Sequence, residues 1–310
     1  MAFSTQVGEV YVAGRGDGVA CSGALVGPPR RDDASTMQTL APDPIDPAIR
    51  AEILRRLAAA EVEHGVRILY AVESGSRAWG FASPDSDYDV RFLYVRPADW
   101  YLSFDIEYRR DVIEYPIVDD IDCSGWDIRK ALYLYTRSNG ALLEWLLGPI
   151  RYREHGDFAA GLRALAPEAT NPLALCYHYS HMARRNAREY LDGAQVRLKK
   201  YFYVLRPLLA IRYLEAGLGP PPVRFGDLVD AVAPPALRPD IAALLQRKRQ
   251  TGELGTGDPI PSINVFIAAE LDRHQSQFAG IGRPDLLGGP ALREALNQRF
   301  RAAVRGVPDP

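Results

Sequence analysis

Cysteine is scarce. The chain of 310 residues has three, Cys21, Cys123 and Cys176, set far apart. Such spacing gives neither a disulfide framework nor a zinc pattern, so a reducing, cytoplasmic setting is expected. Net charge is nearly missing too, at −2. No global pull draws the protein to nucleic acid or an acidic membrane, and any polyanion site must be a local patch. Long apolar runs are absent: none approaches the roughly 18 residues that span a bilayer. The N-terminus also lacks a basic stretch leading into an apolar one, so neither secretion nor a membrane partner is expected. What is present suits a core, with 47% apolar and 25% charged residues, as in ordinary soluble proteins.

Residues 1 to 44 are rich in Gly, Pro, Ser and Thr without sustained periodicity, and read as a disordered extension. Asp46 is a good N-cap with Pro47 at the first helical position, and Ile49, Ile53, Leu54 and Leu57 follow at helical spacing. Val66 to Val72 reads as a buried strand, Gly75 to Asp85 as a loop, and Asp89 to Val95 as a second strand. A third β-like stretch runs from Asp111 to Val118, and Ile121-Asp122-Cys123 continues or pairs with it. From Trp126 the period turns helical, with stretches near 126–147, 173–192, 195–217, 237–251, 262–275 and 291–304 and few further strand signals. The expected class is α+β: a small mixed sheet with flanking helices over 45–137, then a helical domain over 138–310 that closes on the substrate.

The stretch from strand to Gly-Ser loop to Asp-x-Asp to strand carries the chemistry. Gly75 permits close backbone approach and Ser76 offers a hydroxyl, which together with loop amides suit phosphate oxygens. Asp87 and Asp89 are two apart at a strand's start and point to one side of it. Paired carboxylates after a phosphate loop suit Mg²⁺, or Mn²⁺ in its place, which keeps waters and substrate phosphates in its shell. In-line nucleotidyl transfer uses two such ions. A third carboxylate is expected, with Asp122 preferred in its apolar-acid-apolar setting and Asp120 and Asp127 as rivals. Asp85 follows Pro84 and reads as a turn residue. An Asp-x-Asp beside Gly-Ser also arises wherever aspartates crowd a turn, so the flanking strands are what give the pattern weight.

Gly75-Ser76, ten residues, then Asp87-Tyr88-Asp89-Val90 resembles the signature of the polymerase β nucleotidyltransferase superfamily. The longer run from Glu73 to Arg91 is similar to the YcgL-type nucleotidyltransferases, polymerase β-like proteins linked to bacterial and phage RNA repair. Ser124 to Leu132, Ser138-Asn139 with Leu143 to Leu146, and Lys199 to Leu209 extend the resemblance over roughly residues 50 to 275. It implies metal carboxylates at Asp87 and Asp89, with Asp122 as third, and a phosphate loop at Gly75 and Ser76. The one departure is Gly140-Ala141, where a proline is more usual. The implied activity is transfer of an NMP from an NTP to an acceptor hydroxyl. An RNA 3′ end is the favoured acceptor, from family context and the basic helices. A protein- or small-molecule-modifying transferase, or a silent nucleotide- or RNA-binding module, are the alternatives.

Several other residues have both a functional and a plain reading. Lys199, Tyr203 and Arg206 lie at intervals of four and three, beside the apolar stripe of Leu198, Phe202, Leu205 and Leu209. They suit a triphosphate grip or an ordinary solvated basic face. Arg77, within the loop, is a better phosphate ligand than Arg129 or Lys130. Arg184, Arg185 and Arg188 with Tyr177, Tyr179 and Tyr190 suit an RNA backbone or a helix rim. His178 and His181 have helical spacing but no third ligand in sequence.

Overall fold

A computed structural model of the protein describes residues 45–251, 255–277 and 289–306. The expected extension over 1–44 lies outside them. The first half runs α1 (Pro47–His64), β1 (Arg67–Glu73), α2 (Gly75–Ala78), β2 (Tyr88–Val95), α3 (Ala98–Tyr101), β3 (Val112–Glu114) and β4 (Ile121–Asp127). Then come α4 (Ile128–Thr136), α5 (Gly140–Leu147), β5 (Arg151–Glu154), α6 (Phe158–Ala169) and α7 (Pro172–Tyr190). A two-residue strand β6 (Val196–Arg197) precedes α8 (Lys200–Glu215), α9 (Phe225–Val232) and α10 (Arg238–Thr251). The short β7 (Thr256–Gly257), which pairs with β6, leads to α11 (Pro261–Gln277) and α12 (Pro290–Arg305).

The main sheet has five strands in the order β3-β4-β2-β1-β5. Only β2 and β4 run parallel in it, the other neighbours being antiparallel, so the sheet is mixed. The α+β class is therefore as the sequence indicates. Asp46 caps α1 as expected, its side chain accepting from the Ala48 amide at 2.7 Å. Ile53, Leu57 and Ala60 of α1 then cover one sheet face, meeting Ala71, Val90, Phe92, Ile121 and Cys123. Tyr70, Val72, Leu93 and Val95 face the other way, into a larger core built with α4, α5, α7 and α8. Both faces of β1 and β2 are thus buried, which is why they read as near-continuous apolar runs. Each large side chain sealed there contributes roughly 1.5–3 kcal/mol.

Several elements differ from the sequence expectation. β5 adds a strand to the free edge of β1 from within the helical stretch. Its Arg151-Tyr152-Arg153-Glu154 has one apolar-facing residue and so carries no strand pattern. The single helix expected over 126–147 is two helices: Ser138 takes a positive φ of 51°, and Asn139 starts afresh as N-cap to the Leu142 amide. α6 and α9, short and unannounced, fill the gaps between the longer helices. The His178 ring packs so close to Gly140 that a Cβ there would lie 2.7 Å from it.

Candidate active site

The site forms where β2 and β4 both begin and β1 ends. After Glu73 the chain must turn at once, and Gly75 does so with φ +59°, in the left-handed region that side chains disfavour. A Cβ on Gly75 would sit 1.9 Å from Asp89 Oδ2, so the glycine also lets the carboxylate lie flat against the loop backbone. Ser76 is buried in the four-residue α2, and its carbonyl accepts from the Phe81 amide at 3.1 Å.

Parallel pairing sets Asp89 beside Asp122 across β2 and β4. In β4 every second residue, Asp122, Ser124 and Trp126, faces away from the α1 side, and Asp89 and Arg91 share that face. The two carboxylates converge on one atom: Arg91 Nη2 donates to Asp89 Oδ1 at 3.1 Å and to Asp122 Oδ2 at 2.6 Å. Arg91 Nη1 donates to the Asp122 carbonyl at 3.0 Å, which holds the guanidinium in place. Burial pushes the Asp89 pKa up; Arg91 opposes this, and the charges of Asp122 and Asp87 add to it. Asp87 itself is exposed, two residues before Asp89 at the sheet's rim. The rival acids lie elsewhere. Asp120 is in an exposed turn with φ 58°, its carbonyl accepting from the Tyr88 amide. Asp127 ends β4 as the cap of α4 and accepts from the Arg129 amide and the Tyr101 hydroxyl.

The donor chemistry suits a divalent cation to a limited degree. Among the described residues no three His, Cys, Asp or Glu side chains gather closely enough to hold a metal alone. Asp89 and Asp122 nevertheless both reach one point, which a cationic nitrogen now takes. A Mg²⁺ ion needs only one or two carboxylates when phosphates and waters complete its shell. The residues present fit such an ion on those terms.

Sequence reasoning assigned no role to Glu73 or Arg91. Arg91 could have been found by the alternation that pairs Asp87 with Asp89, extended by one step. Glu73 is 1% exposed, and its Oε1 accepts from the Asp89 amide at 3.0 Å. Its Oε2 accepts from the Tyr152 hydroxyl of β5. Burial pushes the Glu73 pKa up to about 7, with the neighbouring Asp89 charge adding to it and the two hydrogen bonds opposing it.

The basic candidates separate into groups. Arg77 is buried and donates to the carbonyls of Ser86 (2.6 Å) and Asp87 (3.2 Å), with its guanidinium 3.9 Å from the Tyr88 ring centre. It braces the loop that carries Asp87. Lys248 of α10, not singled out from sequence, comes within 3.3 Å of Ser83 Oγ under the same loop. Tyr203 packs edge-on against Trp79 at 5.5 Å, and Lys199 stands half-exposed at the start of α8. Arg206 is not on a solvated basic face. It is 3% exposed, donates to Glu144 Oε1 at 2.7 Å and lies 4.6 Å from the Trp79 ring centre. Glu144 also accepts from Trp79 Nε1 and the Tyr179 hydroxyl, so one carboxylate ties the loop, α7 and α8 together.

That arrangement predicts the outcome of Glu144→Ala. Removing the acid strands Arg206 as a buried unpaired charge, so unfolding free energy should fall by about 3–5 kcal/mol in urea denaturation. A solvated pair would lose less than about 1 kcal/mol, and a loss that small would contradict the buried network.

The basic and aromatic helix α7 is partly structural. Tyr179 is in the core, and Arg184 docks on α11 through Gln275 and the Leu271 carbonyl. Arg185 and Arg188 remain exposed. His178 is half-buried with Nε2 unpartnered, His181 is exposed, and the metal-cluster finding above covers them too. Arg129 and Lys130 pair with Glu107 and Asp111 at the far end of β4.

The class follows from the family model that the chain matches, that of a polymerase β-type nucleotidyltransferase. The chain belongs to the RNA repair pathway DNA polymerase beta family, whose model matches residues 49–301. It is 50% identical over 226 residues to the uncharacterized protein YcgL of Bacillus subtilis (strain 168), covering 73% of this chain and 86% of that protein. A crystal structure of a nucleotidyltransferase-like protein from Exiguobacterium sibiricum 255-15 matches with a TM-score of 0.29 and 14% identity, over 73% of this chain and 75% of that one. Among the described residues no helix is long and apolar enough to cross a membrane.

Proposed function

We propose that the protein moves an NMP from an NTP to the 3′ hydroxyl of an RNA, with Mg²⁺ or Mn²⁺ as cofactor. The observation that supports this most is the convergence of Asp89 and Asp122 on one point beside Gly75. Asp89 and Asp122 would hold the cation, with Asp87 joining from the rim. Bound there, the ion would neutralise phosphate charge and favour ionisation of the attacking hydroxyl. The Gly75-Ser76 turn gives the triphosphate a close approach to backbone. Arg77 acts by holding the loop in shape, through the Ser86 and Asp87 carbonyls.

In the reaction the acceptor oxygen forms a bond to the α-phosphorus, and the bond from that phosphorus to its bridging oxygen breaks. Pyrophosphate leaves, and the hydroxyl proton passes to solvent or to a carboxylate of the site. The loop is held from both halves of the chain, by Arg77 below and by Trp79 against Arg206 and Tyr203. A loop held in this way would position the nucleotide for attack, which is where much of the rate advantage of such reactions originates. Lys199, Lys200 and the exposed Arg185 and Arg188 lie on α7 and α8, a surface suited to RNA phosphates.

Incubation of the full chain with each labelled NTP and a divalent cation, offered tRNA, total protein or no acceptor, tests the reading. Label should enter RNA and require the cation. Label on protein alone would overturn the RNA acceptor, and no label under any condition would overturn the transferase reading.

A further inference from the structure

We propose that Glu73 is a positioning residue, fixing the main chain of Asp89 and through it the direction of the Asp89 carboxylate. The inference rests on the proposed role of Asp89 as a cation ligand. The Asp89 peptide is clamped from both sides. Its amide donates to Glu73 Oε1 at 3.0 Å, and its carbonyl accepts from the Ser74 amide at 2.8 Å. Glu73 and Ser74 are consecutive, so the turn at the end of β1 grips the second residue of β2 with a side chain and a backbone group together.

The grip is itself anchored. Glu73's second oxygen is held by the Tyr152 hydroxyl, and Tyr152 sits on β5, beside the β1 edge. The Arg50 guanidinium of α1 lies 5.0 Å from the Tyr152 ring centre. A chain of contacts thus runs from α1 through β5 and Glu73 to Asp89.

Glu73 is an expensive way to fill that space. Among the described residues no Lys, Arg or His forms an ion pair with it, yet it is 1% exposed. A buried carboxylate without a cation is disfavoured, and an apolar side chain would pack there at less cost. Its two acceptor oxygens, one for Asp89 and one for the anchor, are what an apolar residue lacks. Groups that orient a ligand in this way commonly change metal affinity or turnover about 10–100-fold when removed.

The test compares Glu73→Leu, Glu73→Gln and Tyr152→Phe in the full chain. Mn²⁺ affinity is measured on the full chain with a non-hydrolysable NTP analogue bound, and kcat and KM for NTP are measured in the transfer assay. Glu73→Leu should weaken Mn²⁺ binding and lower kcat by about 10–100-fold with KM little changed. Glu73→Gln keeps an oxygen for the Asp89 amide and should recover most of both. Tyr152→Phe should lose in the same direction by a smaller factor. If Leu fails to fold, Gln against Tyr152→Phe decides: Gln near wild type with Phe impaired in Mn²⁺ affinity supports the proposal, and both unchanged overturns it. Leu matching wild type, or Gln no better than Leu, overturns it as well. Asp89→Asn runs alongside. If that variant also binds Mn²⁺ as the wild type does, the assignment of Asp89 is what fails. If it loses Mn²⁺ while Glu73→Leu does not, the positioning role alone fails.

Discussion

Asp89→Asn should lower the transfer rate about 10³-fold and leave the protein folded. The substitution keeps size and shape but removes the charge that, with Asp122, converges on a single point. Losing one electrostatic contact to the transition state typically costs about 10²–10³ in kcat, and loss of the proposed cation ligand should reach the upper end. Stability should move the other way or not at all. Burial raises the Asp89 pKa above its ordinary value, so ionising that carboxylate costs more in the folded protein than in the unfolded chain. The linkage has a definite sign: a raised carboxylate pKa means the ionised group detracts from stability once pH exceeds its ordinary value. Asparagine has no such charge, while Arg91 keeps Asp122 as a partner. Urea midpoints and NMP incorporation together check this. A variant that transfers normally would remove Asp89 from the site.

Gly75→Ala should be nearly as damaging for a different reason. The position has φ +59°, and the new methyl would lie 1.9 Å from Asp89 Oδ2 and 2.7 Å from its Cγ. Backbone strain in the left-handed region accounts for only about 1–2 kcal/mol. The overlap is the larger effect, because Asp89 must swing away or the turn must open. Displacement of a reacting group by about 1 Å can cost 10²-fold, and a loss of about that size in kcat is expected. Gly80→Ala is the control. Gly80 also has a positive φ, +80°, but nothing lies within 4 Å of its would-be Cβ. It should lose stability by a similar strain and keep its transfer rate. Equal loss of activity in both would mean that strain in the loop, and not contact with Asp89, governs the site.

The elements nearest the chemistry were the most legible from sequence. Alternation in a strand has a period of two, so the face of β2 that holds Asp89 could be read from the strand that follows it, and Gly75 announced a turn that only glycine makes easily. Asp122 was readable because Ile121 and Cys123 flank it like strand neighbours. What was not readable depends on partners remote in sequence. Glu73 acts with Tyr152, 79 residues away, and nothing local distinguishes it from the end of an apolar strand. Arg206 looked like part of a basic face because helical spacing reports direction, not depth. In α8 burial extends around most of the helix, and the charge is met by Glu144 of α5. β5 escaped because an edge strand of three charged residues and a tyrosine has no apolar rhythm to detect.

β5 also bears on the order in which the chain is made. Chains leave the ribosome N-terminus first. β1 and β2 can pair early, and β4 can join soon after, which already brings Asp89 beside Asp122. The other edge of β1 stays open until α4, α5 and β5 have been synthesised. During that interval β1 exposes unpaired backbone of the kind that recruits other chains, and Glu73 has no Tyr152 to hold. The residues that set Asp89 beside Asp122 are thus synthesised before Tyr152, the partner of Glu73.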